Sequence, residues 1–191
     1  MSGLAQTGLG SVVSLWRYPV KSMMGEELNA SEVTERGLLG DRAYALVDRS
    51  DGKVASAKNP RKWPRLFDFR AAYVDTPRSG AKVPPVRVTM PDGTVIISEQ
   101  PDFNQILATM LTREVALDAS DRGPREGGAS AATQPGAGMA EEYWPDMDDL
   151  DYRDTVTDFT LPEGTFFDCA VVHVLTTATL DRFRELYPQG R

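Results

Sequence analysis

The sequence predicts a β-rich α/β fold: a barrel-like N-terminal unit followed by a second, incomplete unit. Three observations carry this expectation. Short runs of β-branched and aromatic residues recur through the first 118 residues, two pairs of them joined across Asp-Gly turns. Only one helical stretch, Pro101 to Leu111, interrupts them. A single strand-and-helix pattern then returns near the C-terminus, after a long stretch without periodicity. The expected organisation is a unit over 1–118, a Gly-, Pro- and acid-rich linker or loop over 119–149, and the start of a further unit over 150–191.

The elements follow in order. Val12, Val13, Trp16 and Tyr18 mark a strand that ends at Pro19. Glu26 to Thr34 reads as a further strand or a bent extension. Gly37 to Gly40 reads as a turn, and Arg42 to Asp48 as a strand. Asp51-Gly52 tolerates positive φ and predicts a hairpin into Lys53 to Ala57. Asn59 to Pro64 is a Pro-bounded loop, and Leu66 to Val74 a strand. Val86, Val88 and Met90 alternate with Arg87 and Thr89 before Asp92-Gly93 turns the chain into Thr94 to Ser98. Phe103, Ile106, Leu107 and Met110 share one face of the helix that Pro101 opens. Arg113 to Leu117 is a short strand.

Residues 119–145 are dominated by Gly, Pro, Ala and Ser, and residues 120–140 are expected to be mobile, because ordering them buries little. Val171 to Leu175 reads as a buried strand. Thr176 or Thr177 then caps a helix with Leu180, Phe183, Leu186 and Tyr187 along one side, ended by Pro188 and Gly190.

Composition narrows the function classes. The chain has 191 residues and a net charge of −7, unevenly placed. Residues 1–70 carry 11 basic and 8 acidic side chains, whereas residues 141–168 carry 1 and 10. The first third can therefore tolerate an anion. The overall acidity argues against non-specific nucleic-acid binding, which needs a basic stripe. The longest apolar runs are too short to span a membrane, no signal peptide is evident, and a lone cysteine, Cys169, fits a reducing, cytosolic setting. One Cys and one His make a zinc site implausible. No phosphate-loop pattern and no serine nucleophile elbow are present. His173, among Val171, Val172, Val174 and Leu175, reads as a core histidine, and Cys169 as a small buried apolar residue.

Three ordered motifs carry a resemblance. They are Leu15-Trp16-Arg17-Tyr18-Pro19-Val20-Lys21-Ser22; Gly37-Leu38-Leu39-Gly40-Asp41-Arg42-Ala43-Tyr44-Ala45-Leu46-Val47-Asp48, with Lys58 and Pro64-Arg65-Leu66 after it; and Phe167-Asp168-Cys169-Ala170-Val171-Val172-His173-Val174-Leu175-Thr176-Thr177-Ala178-Thr179-Leu180. Together they resemble the MOSC family, which includes the C-terminal domain of molybdenum cofactor sulfurase and the mitochondrial amidoxime-reducing component. The resemblance covers nearly the whole chain, weakly between 70 and 150. It implies an N-terminal MOSC β-barrel domain, followed by a truncated MOSC β-barrel core.

The resemblance also implies the molybdenum cofactor, with Lys21, Ser22 and Arg42 holding the phosphate of its pterin. The residue types suit that role, since an ammonium, a hydroxyl and a guanidinium fork are all phosphate partners. Without the family match, the same three residues read as ordinary surface positions. Asp168, Cys169 and Ala170 match a segment that faces the pterin. Cys169 and Ala170 depart from the small or hydroxylated residues usual there, which leaves backbone contacts and Asp168. The family's Arg-Pro-Asn segment and its metal-ligating cysteine lie downstream of the core's first helix, beyond Arg191, and Cys169 does not match the ligand position. The expectation is the cofactor-binding part of a molybdenum-dependent oxidoreductase reducing N-oxygenated compounds, inactive as this chain alone, with a redox partner protein and self-association through the unfinished core. The alternatives are cofactor sulfuration, for which no pyridoxal-phosphate module is present, a non-catalytic cofactor carrier or interaction module, or a stable fragment without activity.

Overall fold

The computed structural model describes residues 10–120, 141–143, 158–160, 166–167 and 170–189. The strands are short, and one segment without regular structure joins most of them. β1 (Leu15–Arg17) pairs antiparallel with β2 (Glu26–Leu28), placing Arg17 opposite Glu26. β3 (Val33–Thr34) and β4 (Gly37–Leu38) form a tight hairpin. β5 (Tyr44–Asp48) pairs antiparallel with β9 (Val115–Ala119). β6 (Arg70–Tyr73), β7 (Val86–Thr89) and β8 (Val95–Ile97) form a three-stranded antiparallel meander.

Residues 18–24 link these sheets. The Tyr18 and Pro19 carbonyls accept from the Arg42 and Tyr44 N–H groups at 2.7 and 3.0 Å, and Lys21 N–H donates to Tyr44 O at 2.8 Å. Met24 then bonds the backbone of Phe69 and Ala71, both at 2.8 Å. The result is a hydrogen-bonded layer in the order β9, β5, residues 18–24, β6, β7, β8. No closed barrel is seen among the described residues, so the barrel expected from sequence is found only in part.

β5 shows why strand periodicity builds two sides. Leu46 faces the main core, with Val20, Phe69, Val88 and Leu107, whereas Ala45 joins Val54 and Phe166 in a small cluster on the other side. α1 (Phe103–Leu111) buries Phe103, Leu107 and Ala108 and is tied to β9 by Asn104 Oδ1, which accepts from Leu117 N–H at 2.9 Å. Thr112, at φ +53°, ends the helix in the left-handed conformation.

Several expectations need correction. The first strand covers only Leu15–Arg17, and Glu26 to Thr34 resolves into two separate strands. Gly37-Leu38 is a strand rather than a turn, the chain turning instead at Glu35-Arg36 and again at Leu39-Gly40. Lys53 to Ala57 contributes one bridge, Val54 to Val47, rather than a strand. A single 3-10 turn at Leu66–Asp68 occupies the front of the expected strand, because Leu66 and Phe69 both enter the core there, a spacing a flat strand cannot supply. Glu141–Tyr143 (β10) pairs antiparallel with Asp158–Thr160 (β11), although periodicity is absent from the sequence over 119–145.

The largest correction concerns Val171 to Leu175. These residues form no strand, and all five are exposed, Val174 at 86%. A strand needs a neighbour for its backbone groups, and none pairs with this segment among the described residues. His173 is therefore an exposed residue, not a core histidine. The following helix α2 (Thr177–Leu186) starts where capping predicts, Thr176 Oγ1 accepting from Thr179 N–H at 3.1 Å. Its apolar side, with Phe183 and Leu186, is exposed. Asp168, Cys169 and the stretch 121–140 expected to be mobile lie outside the described residues.

Candidate functional site

The three expected phosphate ligands sit on two adjacent backbone segments. Tyr18–Ser22 runs beside Arg42–Tyr44, held by the hydrogen bonds to Tyr18, Pro19 and Tyr44. Pro19 contributes no N–H and bonds through its carbonyl alone, to the Tyr44 N–H.

Lys21 is buried, with 4% of its surface exposed, and its Nζ donates to the Phe166 carbonyl at 3.0 Å. Ser22 has φ +64° and accepts the Ala57 N–H through Oγ at 3.0 Å. Its own hydroxyl proton is a further donor. Arg42 has φ +47°, and its guanidinium pairs with Asp41 Oδ2 at 2.9 Å. The guanidinium carbon also lies 4.9 Å from the centre of the Phe167 ring and 5.6 Å from that of Tyr18, both within cation–π range.

Two features mark this spot. Ser22, Arg42 and Thr112 are the non-glycine residues at positive φ among the described residues, and Thr112 is accounted for as a helix end. A side chain held in the left-handed region costs of order 1–3 kcal/mol and persists where surrounding structure imposes it, commonly at functional sites. Lys21 and Arg42 also meet the same remote dipeptide, Phe166-Phe167, whose next residue is Asp168. The structure thus brings Lys21 and Arg42 to the same dipeptide, Phe166-Phe167, whereas the Ser22 hydroxyl meets Ala57.

Sequence reasoning missed the supports. Asp41 Oδ1 accepts the Tyr18 N–H at 2.6 Å. Burial pushes the Asp41 carboxyl above the usual carboxylate range, against the opposing pull of the Tyr18 N–H, the Arg42 and Arg17 guanidiniums and His173. Arg17 is buried, donates from Nε and Nη2 to Glu26 Oε1 at 3.0 and 2.8 Å, and donates from Nη1 to Leu39 O at 3.1 Å. Tyr73 donates its hydroxyl to Gly40 O at 2.7 Å, and burial pushes its ionisation upward. The turn before Asp41-Arg42 is thereby held at two carbonyls. The available signal was the Gly40-Asp41-Arg42 sequence, in which an acid precedes the basic ligand.

A groove of about 1140 Å³ lies between β5, β9, the start of α1 and residues 75–85, and includes none of Lys21, Ser22 or Arg42. It is wide open, and its charges are of both signs, with Arg49, Arg78 and Lys82 beside Asp75 and Glu99. Among the described residues, no group of three or more His, Cys, Asp or Glu side chains is placed to hold a metal ion. No helix among them is long and apolar enough to cross a membrane.

Residues 9–127 match the family model of the MOSC N-terminal beta barrel domain. The chain belongs to the MOSC family. The matched span holds Lys21, Ser22 and Arg42 and stops short of Phe166 and Phe167. This MOSC chain is also 34% identical over 102 residues to mitochondrial amidoxime reducing component 2 of Macaca fascicularis, the alignment covering 51% of the chain and 28% of that relative. The chain thus spans under a third of the length of the curated relative it matches. No solved structure matches it significantly.

Proposed function

We propose that this MOSC chain provides the phosphate-anchoring part of a molybdenum–pterin cofactor site, in a protein that reduces N-oxygenated compounds. The observation that carries the reading is that Lys21 and Arg42 both meet Phe166-Phe167, the dipeptide just before Asp168, while Ser22 and Arg42 hold positive φ. The residues fit a phosphate. Lys21 offers an ammonium as a point charge, Ser22 a hydroxyl donor, and Arg42 a planar fork able to take two oxygens at once. The net positive balance of residues 1–70 favours an anion in a chain that is otherwise acidic. The similarity to an amidoxime reducing component supports the substrate class.

When bound, such a cofactor supplies the redox chemistry at its metal. The residues of this chain bind and orient. Lys21, held by the Phe166 carbonyl, fixes one side of the phosphate against the buried layer. Arg42, braced by Asp41 and flanked by Tyr18 and Phe167, sets the direction from which the phosphate is gripped. The Tyr18 and Phe167 rings, 5.6 and 4.9 Å away, add cation–π attraction that helps to hold the guanidinium in place. Arg42→Ala removes a charge-assisted contact worth about 1.5–3 kcal/mol, so pterin-phosphate affinity should fall more than about tenfold. An unchanged affinity, measured by calorimetry, rejects the site.

A further inference from the structure

An acidic side chain directly beside a phosphate site is electrostatically unfavourable, yet Asp41 is built into this one. Its carboxylate is 7% exposed and uses both oxygens. Oδ1 takes the Tyr18 N–H at 2.6 Å, and Oδ2 takes Arg42 Nη1 at 2.9 Å. The same Tyr18 returns its carbonyl to the Arg42 N–H at 2.7 Å and sets its ring near the guanidinium. Asp41 and Arg42 are thus tied to the Tyr18 N–H and carbonyl respectively. Upstream, the Leu39 and Gly40 carbonyls are held by Arg17 and Tyr73.

Resting on the phosphate-site reading above, we propose that Asp41 is a positioning residue that locks the Arg42 guanidinium in the orientation an anionic phosphate requires. A guanidinium has five N–H donors in a rigid plane. Tying one edge of that plane to a buried carboxylate fixes where the remaining donors point. The left-handed backbone of Arg42 fixes where the side chain starts, and the Asp41 carboxylate fixes where it ends. The advantage is preorganisation: the long side chain loses its rotamer freedom during folding rather than on binding. The opposing effect is Coulombic repulsion between Asp41 and the ligand.

These two effects have opposite signs, so they can be separated. The probe is inorganic phosphate, titrated into the 191-residue chain and followed by NMR. If Asp41 positions Arg42, Asp41→Asn weakens phosphate binding about tenfold although it removes a negative charge. In an Arg42→Ala background the same change no longer weakens binding, because only the relief of repulsion is left. If Asp41 acts only through its charge, Asp41→Asn strengthens binding, and that result, or an unchanged affinity, overturns the positioning role while the site itself stands. An affinity that Arg42→Ala leaves untouched rejects the phosphate site, and the positioning role falls with it. The wild-type chain supplies a check that needs no variant. A locked guanidinium gives separate Nη–H resonances for Arg42 in 15N spectra, and a single collapsed signal rejects the lock even if Asp41→Asn fails to fold.

Discussion

Lys21 and Phe166 lie 145 positions apart in sequence and meet through a 3.0 Å hydrogen bond from the ammonium to the backbone carbonyl. Both residues are buried, and Phe166 also packs with Ala45 and Val54 on the far side of β5 from the main core. One long-range contact thereby attaches the later part of the chain to the layer that carries Ser22 and Arg42.

Lys21→Met tests that attachment. Methionine keeps much of the side chain's length but leaves the Phe166 carbonyl without this donor. An unsatisfied buried polar group costs about 1–3 kcal/mol. Urea unfolding should show a loss in that range, and amide exchange at Phe166 and Phe167 should quicken. A variant as stable as wild type, with exchange there unchanged, would mean that the contact contributes nothing.

Gly37 and Gly52 separate backbone strain from steric conflict. Both have positive φ, +88° and +74°. A methyl group at Gly37 would collide with the Val171 carbonyl, whereas one at Gly52 meets nothing within 4 Å. Gly52→Ala should therefore cost only the left-handed penalty of about 1–2 kcal/mol. Gly37→Ala should cost more and should also displace the segment around Val171, visible as chemical-shift changes at Val171 to His173. Equal costs for the two substitutions would show that Val171 simply moves aside.

Asp48 and Lys62 give the fold an acid-sensitive pair. Lys62 Nζ reaches Asp48 Oδ2 at 2.8 Å, and Oδ1 accepts from the Ser50 N–H and hydroxyl at 2.8 and 2.6 Å. Burial alone pushes the Asp48 carboxyl up, but Lys62 and Ser50 outweigh it and hold the carboxyl below the usual carboxylate range. The folded value lies under the unfolded one of about 3.9. The stabilisation is therefore fully present above that pH and is lost as pH falls through the folded value. Urea stability measured from about pH 6 downward should drop below about pH 4, and Asp48→Asn should flatten that drop. An identical acid slope in the variant would place the sensitivity elsewhere.

Local chemistry made much of the N-terminal part legible from sequence. The β7–β8 hairpin follows from the alternation of Val86 and Val88 with Arg87 and Thr89, closed by Asp92-Gly93. α1 follows from its apolar stripe, and the start of α2 from Thr176. These features depend on neighbours a few residues away, so sequence holds nearly all the information that forms them. Lys21, Ser22 and Arg42 are singled out differently, by the resemblance of short motifs to a family, since local chemistry alone reads them as surface positions.

What needed tertiary structure was everything set by distant partners. Val171 to Leu175 has the composition of a buried strand, yet burial depends on a neighbouring strand, and composition cannot supply one. The positive φ of Ser22 and Arg42 comes from hydrogen bonds to Ala57 and Tyr18, not from any preference of serine or arginine. Asp41 shows the division most clearly. Sequence placed an acid next to Arg42, but only the folded chain turns its two oxygens toward Tyr18 and the guanidinium. Sequence by itself determined which charged and hydroxyl groups stand at positions 21, 22, 41 and 42. Tertiary structure decided how they are aimed, because orientation arises from contacts between segments that local preference cannot specify.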